Sequence, residues 1–276
     1  MLNDMFSHHL MAPPFNDGSA LFFWAICAGS VLLMAIAKSG FGGAVASLSA
    51  PLMLTILPAR ETLAILLPLY LLTDIWAIWI WRGFSYWRVL FWMVVFGVIG
   101  QIFGYVLISV INDAMLKALI GLIALFIGGR YWYRVKSPAI LSNPRQQARD
   151  LRGRLKSRAA IWCGLSGFSS FISLTGGIPV QVYLLPMKMH RYLVVGTSAW
   201  YFFSINVAKL PFFFQLGMFT SSTLFITVVL MPIIPLGVSI GKWLNRRMTD
   251  KGFYHIAHIA LILLGCRLIW GVVMSG

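Results

Sequence analysis

The chain has 276 residues, of which 59% are hydrophobic and 11% charged, with a mean hydropathy of +0.84. A soluble domain carries about 45–50% apolar and about 25% charged residues, so this composition excludes a soluble enzyme and predicts an integral membrane protein. The formal net charge of +15 does not point to nucleic acid, because nine of the 22 Lys and Arg fall between Arg130 and Arg158, in a block with an apolar run on either side. Such a block reads as a cytoplasmic loop obeying the positive-inside rule, with attraction to anionic lipid headgroups around residues 130–158.

In chain order, residues 1–19 contain Asp4 and Asp17 but no Lys or Arg. They lack the basic start of a signal peptide, so the first apolar run is expected to be retained. Segment one covers residues 20–37, breaks at Lys38-Ser-Gly-Phe-Gly-Gly43 and resumes over 44–57. Segments two, three and four cover 62–81, 87–111 and 114–133; a basic connector follows. Segment five covers 159–185 with interruptions at Ser166-Gly-Phe-Ser-Ser170 and Thr175-Gly-Gly-Ile-Pro179, and segments six to eight cover 192–209, 219–244 and 253–273. A spanning helix needs about 20 residues. The runs are that long and show no period-two alternation, so helices are expected rather than a β-barrel.

The two halves repeat. Ser39-Gly-Phe-Gly-Gly43 matches Ser166-Gly-Phe-Ser-Ser170 at an offset of 127, and Pro51 and Pro58 match Pro179 and Pro186 at 128. Gly104, Asp113, Gly128 and Arg130 match Gly241, Asp250, Gly265 and Arg267 at 137. With the basic block inside, Asp113 and Lys117 fall outside, Arg82 and Arg88 inside, and Arg60 outside. Lys242, Arg246, Arg247 and Lys251 then fall inside only if segment five folds back as a re-entrant hairpin. The matched loops lie on opposite sides, which is an inverted repeat. The expected organisation is a tail (1–19), a first membrane repeat (20–134), a basic cytoplasmic linker (135–158) and a second membrane repeat (159–276). The expected fold is an all-α polytopic membrane protein with two broken or re-entrant hairpins and about six spanning helices, making seven to eight apolar segments. The N-terminus would be periplasmic. The first arm of segment one is long enough either to re-enter or to span.

Broken helices carry the chemistry. Non-helical backbone in a bilayer persists only where protein or water buries it. Glycines at Gly40, Gly42 and Gly43 permit a turn, and a helix resuming at Ala44 would aim its positive end at a site, as would one after Ser170. Ser39, Ser47, Ser166, Ser169, Ser170, Thr175 and Gln181 add neutral donors, and Lys38 adds charge. Together they form an expected anion pocket, against the alternative that small residues only let helices pack closely. Lys38, Asp74 and Lys209 are ionisable residues within or beside apolar runs, where charge is expensive. Lys209 either faces the pocket or snorkels from the end of segment six. Asp74 either pairs with Lys38 or Lys209 or binds a coupling proton. Cys27, Cys163 and Cys266 are scattered, and His255 and His258 read as interfacial histidines rather than a metal pair. No catalytic triad, Walker loop or dinucleotide fingerprint is present, so no cofactor, no metal and no enzymatic or ATP-driven activity is expected.

At these residues the sequence resembles the sulfite exporter TauE/SafE family of bacterial membrane transporters. The carriers are Lys38-Ser-Gly-Phe-Gly-Gly43 with Pro51 and Leu52, Leu67-Pro-Leu-Tyr-Leu-Leu-Thr-Asp74, Val195-Gly-Thr-Ser-Ala199 and Asn206-Val-Ala-Lys-Leu-Pro211. The resemblance implies a two-repeat carrier in the bacterial inner membrane that exports sulfite or an organosulfonate. The second copy departs from the first, with Ser169-Ser170 where the first has Gly42-Gly43. In the expected mechanism Lys38 and Lys209 neutralise the anion, while the hairpin N–H groups, Ser39, Ser169, Ser170 and Asn206 fix its oxygens. The alternatives are an anion channel, a proton-coupled importer and a non-transporting scaffold. A homodimer is compatible with the sequence.

Overall fold

The computed structural model describes residues 17–43, 46, 49–53, 56–107, 122, 125, 126, 129, 132, 133, 155–174, 176–187 and 189–275. Most of segment four and of the basic connector, with Ser47 and Thr175, lie outside the described residues. The described chain is helical: α1 (Asp17–Phe41), α2 (Ser49–Met53), α3 (Ala59–Ile80), α4 (Trp87–Leu107), α5 (Leu155–Ser173), α6 (Gly177–Leu184), a 3-10 turn (Leu185–Met187), α7 (Arg191–Gln215), α8 (Ser221–Leu230), α9 (Ile233–Arg247) and α10 (Asp250–Ser275). Among the described residues, four helices are long and apolar enough to cross a membrane, Leu21–Phe41, Arg60–Ile80, Trp87–Val106 and Arg191–Gln215. A fifth span is formed if the pair Ser221–Leu230 and Ile233–Arg247, bent by 46°, is one crossing. Large apolar side chains such as Leu21, Phe103, Val106 and Phe214 are exposed on their outer faces, as lipid contact requires.

Segments one, two, three, six and seven correspond to described helices with altered ends. Segment six runs on to Gln215 because Pro211 is accommodated inside α7; in a packed membrane helix neighbouring groups can satisfy the freed carbonyl. Segment seven is two helices, bent at Met231-Pro232, where proline lacks the N–H and crowds the preceding turn. The break in segment one falls later than expected. α1 continues through Lys38 to Phe41, and the chain turns at Gly42 (φ 72°) and Gly43 (φ 100°). The first α-helix described after that turn is the short Ser49–Met53, and Ala44, where the helix is expected to resume, lies outside the described residues.

The interruption expected at Ser166–Ser170 is absent: α5 is continuous to Ser173, and α6 begins at Gly177, within the second expected interruption, whose Thr175 lies outside the described residues. Packing explains this. A Cβ on Gly167 would meet the Gly97 carbonyl of α4, and one on Gly100 would meet the Gly164 carbonyl of α5. These glycines let two helix backbones touch instead of turning the chain.

The most extensive helix contacts are α4 against α5 and α1 against α9. The second pair also meets through glycine. A Cβ on Gly40 would lie 2.9 Å from the Gly241 carbonyl oxygen, and one on Gly237 would lie 2.6 Å from Ala35 Cβ. α9 buries Ile234, Gly237, Val238, Gly241 and Asn245, a helical stripe, and ends on Arg246 and Arg247, whose charges suit the helix C-terminus. α7 packs across α3 and α4. The polar residues lie between these layers.

A buried charged centre between four helices

α7 presents one buried stripe, Ser198, Phe202, Asn206 and Lys209, at spacings that return to the same face. α3 brings Tyr70 and Asp74, four apart; α1 brings Lys38 from its last turn; α5 brings Ser166 and Ser170, again four apart. Among the described residues Lys38, Asp74 and Lys209 are the buried Lys, Arg, Asp and Glu side chains, at 4%, 0% and 0% exposure.

These side chains form one chain of contacts. Lys38 Nζ lies 2.7 Å from Asp74 Oδ1 and donates to the Tyr70 carbonyl at 3.4 Å. Asn206 Nδ2 donates to Asp74 Oδ2 at 2.9 Å. Lys209 Nζ donates to Asn206 Oδ1 at 3.1 Å and to Ser170 Oγ at 2.7 Å. Lys38 Nζ also stands 4.4 Å from the centre of the Tyr70 ring and 5.4 Å from that of Phe202, within cation–π range. Tyr70 is anchored in turn, its hydroxyl 2.8 Å from Ser49 Oγ. Lys209 therefore points inward rather than snorkelling, and its partners are neutral. Two ammonium groups face one carboxylate, so the fully ionised centre carries one positive charge without a counter-charge. An uncompensated charge in such surroundings is costly.

The other candidate residues have different surroundings. Ser39 Oγ donates to the Ala35 carbonyl at 2.7 Å and sits on the α1–α9 contact beside Gly241. Gly40 is a packing glycine, and its carbonyl accepts from Asn245 Nδ2 at 2.6 Å. Gln181 Nε2 donates to the Phe41 and Gly42 carbonyls at 3.1 and 2.8 Å, while Trp81 Nε1 donates to the Ser39 carbonyl at 2.8 Å. The last carbonyls of a helix have no partner within it. Here Trp81, Asn245 and Gln181 supply partners, so the end of α1 is locked by three other elements.

Ser166 Oγ donates to the Gly176 carbonyl at 2.7 Å and accepts from the Tyr201 hydroxyl at 3.0 Å. Ser169 Oγ donates to the Ser166 carbonyl at 3.3 Å. A Cβ on Gly43 would lie 2.6 Å from Phe202 Cε2, so this ring touches the turn while flanking Lys38. Beyond it, Gln181 Oε1 and the Ser198 hydroxyl are buried and lack hydrogen-bond partners. Lys38, Asp74, Asn206, Lys209 and Ser170 are thus brought together; Ser39 and Gly40 face α9 instead.

Tyr70, Ser198, Phe202, Trp81 and Asn245 were not selected from sequence. Tyr70 precedes Asp74 by one helical turn, and Ser198 and Phe202 precede Asn206 by two turns and one, so helical spacing marks three of them. Among the described residues no three His, Cys, Asp or Glu side chains converge. His255 stacks on Trp132 with ring centres 5.3 Å apart.

Long apolar helices enclosing buried charges define a polytopic membrane protein with an interior polar centre. The chain belongs to the sulfite exporter TauE/SafE family, whose sequence model matches residues 25–268, nearly the whole length. This is a family of membrane transporters, which agrees with the apolar helices. No curated protein and no solved structure matches the chain.

Proposed function

We propose that the protein is a secondary transporter that moves a small sulfur oxyanion, sulfite or an organosulfonate, out across the bacterial inner membrane by alternating access. The observation that carries this reading is the charge balance of the buried centre. Lys38 and Lys209 outnumber Asp74, and the Lys209 ammonium is held by neutral oxygens of Ser170 and Asn206. An oxyanion supplies the missing charge and accepts from the remaining ammonium protons.

The packing supports an inverted repeat. By the offsets near 127 and 137, α1 corresponds to α5 and α4 to α9, so the two glycine-lined pairs, α1–α9 and α4–α5, are reciprocal. Two units related in this way can rock against each other around a site held between them. In the proposed topology the 135–158 connector and the end of α9 face the cytoplasm, against anionic headgroups, and the N-terminus is periplasmic. With the interior negative, each negative charge leaving gains about 2.3 kcal/mol per 100 mV, so export needs no coupled ion. Asp74 has one oxygen on Lys38 and the other on Asn206, an arrangement better suited to a fixed counter-ion than to a proton carrier for import.

The test is flux of labelled sulfite, sulfate and a small organosulfonate in proteoliposomes, with and without an imposed potential. Saturable flux of a sulfur oxyanion that responds to potential and is lost in Lys38→Ala is expected. Unitary currents would favour a channel; unchanged flux in Lys38→Ala would remove Lys38 from the site.

A further inference from the structure

Resting on that reading, we infer that the buried centre is built for a singly charged oxyanion, a sulfonate or hydrogensulfite ion rather than a dianion, and that Asp74 sets this valence. The argument starts from a charge count. Lys38 and Lys209 bring two positive charges and Asp74 one negative, while Asn206, Ser170, Tyr70 and Phe202 are neutral. One negative charge balances the centre. A second would stand unpaired beside the Asp74 carboxylate in a low-dielectric interior, where charges interact far more strongly than in water.

Asp74 is a fixture of the site. Oδ1 is 2.7 Å from Lys38 Nζ, Oδ2 accepts from Asn206 Nδ2 at 2.9 Å, and the side chain is fully buried. It is therefore present when the anion arrives. Asn206 fixes the polarity of the centre by turning its N–H toward Asp74 and its oxygen toward Lys209. The donor inventory agrees with the count. Each ammonium has three protons. Lys209 donates to Ser170 and Asn206, and Lys38 is ion-paired with Asp74 and donates to the Tyr70 carbonyl, so each ammonium keeps at least one proton for an anion. Two such donors suit two oxygens of a single sulfonate-like head. The faces of Tyr70 and Phe202 around Lys38 carry negative π density and disfavour further anionic charge.

Methanesulfonate and sulfate are a matched pair of probes. Both are tetrahedral at sulfur and similar in size, and near neutral pH they carry one and two negative charges. The full-length protein in proteoliposomes, with the membrane potential clamped at zero, should move methanesulfonate about tenfold faster than sulfate at equal concentration. In Asp74→Asn the centre carries two positive charges, and the ratio should fall about tenfold or invert toward sulfate. In Asn206→Asp the centre is neutral, and methanesulfonate flux should be lost. Sulfate flux equal to or faster than methanesulfonate flux in the unaltered protein would overturn the valence inference while leaving anion transport standing. An unchanged ratio in membrane-inserted Asp74→Asn would overturn the role of Asp74. If Asp74→Asn does not fold, the ratio in the unaltered protein and the Asn206→Asp result decide the matter. Absence of flux for methanesulfonate, sulfate and sulfite alike would overturn the transport reading itself, and the inference with it.

Discussion

Residues 39–43 and 166–170 begin with the same Ser-Gly-Phe and diverge only in the next two positions, Gly-Gly in the first and Ser-Ser in the second. In the first copy the helix stops: Gly42 and Gly43 adopt φ of 72° and 100° and the chain turns. In the second copy the helix continues to Ser173 and the chain leaves it only at Leu174, φ 56°. The left-handed region costs a residue with a Cβ roughly 1–2 kcal/mol, so Ser169 and Ser170 stay helical where Gly42 and Gly43 need not. The consequence is chemical. Ser170, at the position of Gly43, keeps a side chain on the inner face of α5 and holds Lys209. The same small-residue motif makes a turn in one half and, in the other, a packing surface with a hydroxyl ligand.

Substitutions along the two motifs should rank by this difference, with thermal unfolding of the purified protein as the common measure. Gly43→Ala forces a Cβ into a left-handed turn and against the Phe202 ring, and is expected to destabilise by about 3 kcal/mol or more. Gly167→Ala places its Cβ on the Gly97 carbonyl in a contact between two backbones. About 2 kcal/mol is expected there, without the loss of any polar contact. Ser170→Ala removes an acceptor from a buried ammonium, for about 1.5 kcal/mol. It should also weaken anion binding, which Gly167→Ala should affect only through stability. Gly164→Ala is the control, since among the described residues its Cβ would meet only the Phe96 carbonyl, at 3.8 Å. Its midpoint should shift by less than about 0.5 kcal/mol. If Gly43→Ala proves as mild as Gly164→Ala, the turn does not depend on glycine and the contrast between the halves fails.

Much of the fold was legible because bilayer-length apolar runs leave few alternatives. α3 was expected over 62–81 and spans Ala59–Ile80. The glycine and serines of residues 166–170 carry the composition of a helix break, but packing against α4 keeps α5 helical there. Pro232 bends the seventh segment, which the run of apolar residues on both sides of it conceals. At the centre, Lys38, Asp74 and Lys209 stood out because charge is rare in apolar runs, and the Lys38–Asp74 contact is one of the pairings the sequence allowed. The roles of Gln181, Trp81 and Asn245 were not legible. Each caps a carbonyl distant in sequence at the end of α1, and only the tertiary arrangement reveals such a partner.

The central claim is that a buried surplus of positive charge binds the oxyanion, and its most direct test is equilibrium binding of sulfite to the purified protein and to Lys209→Gln. The unaltered protein should bind saturably and unfold at a higher temperature as sulfite is added, as any ligand of the folded state requires. Lys209→Gln should fold without sulfite, since it removes an uncompensated buried charge, yet bind no sulfite. Equal affinity in the two proteins would contradict the account.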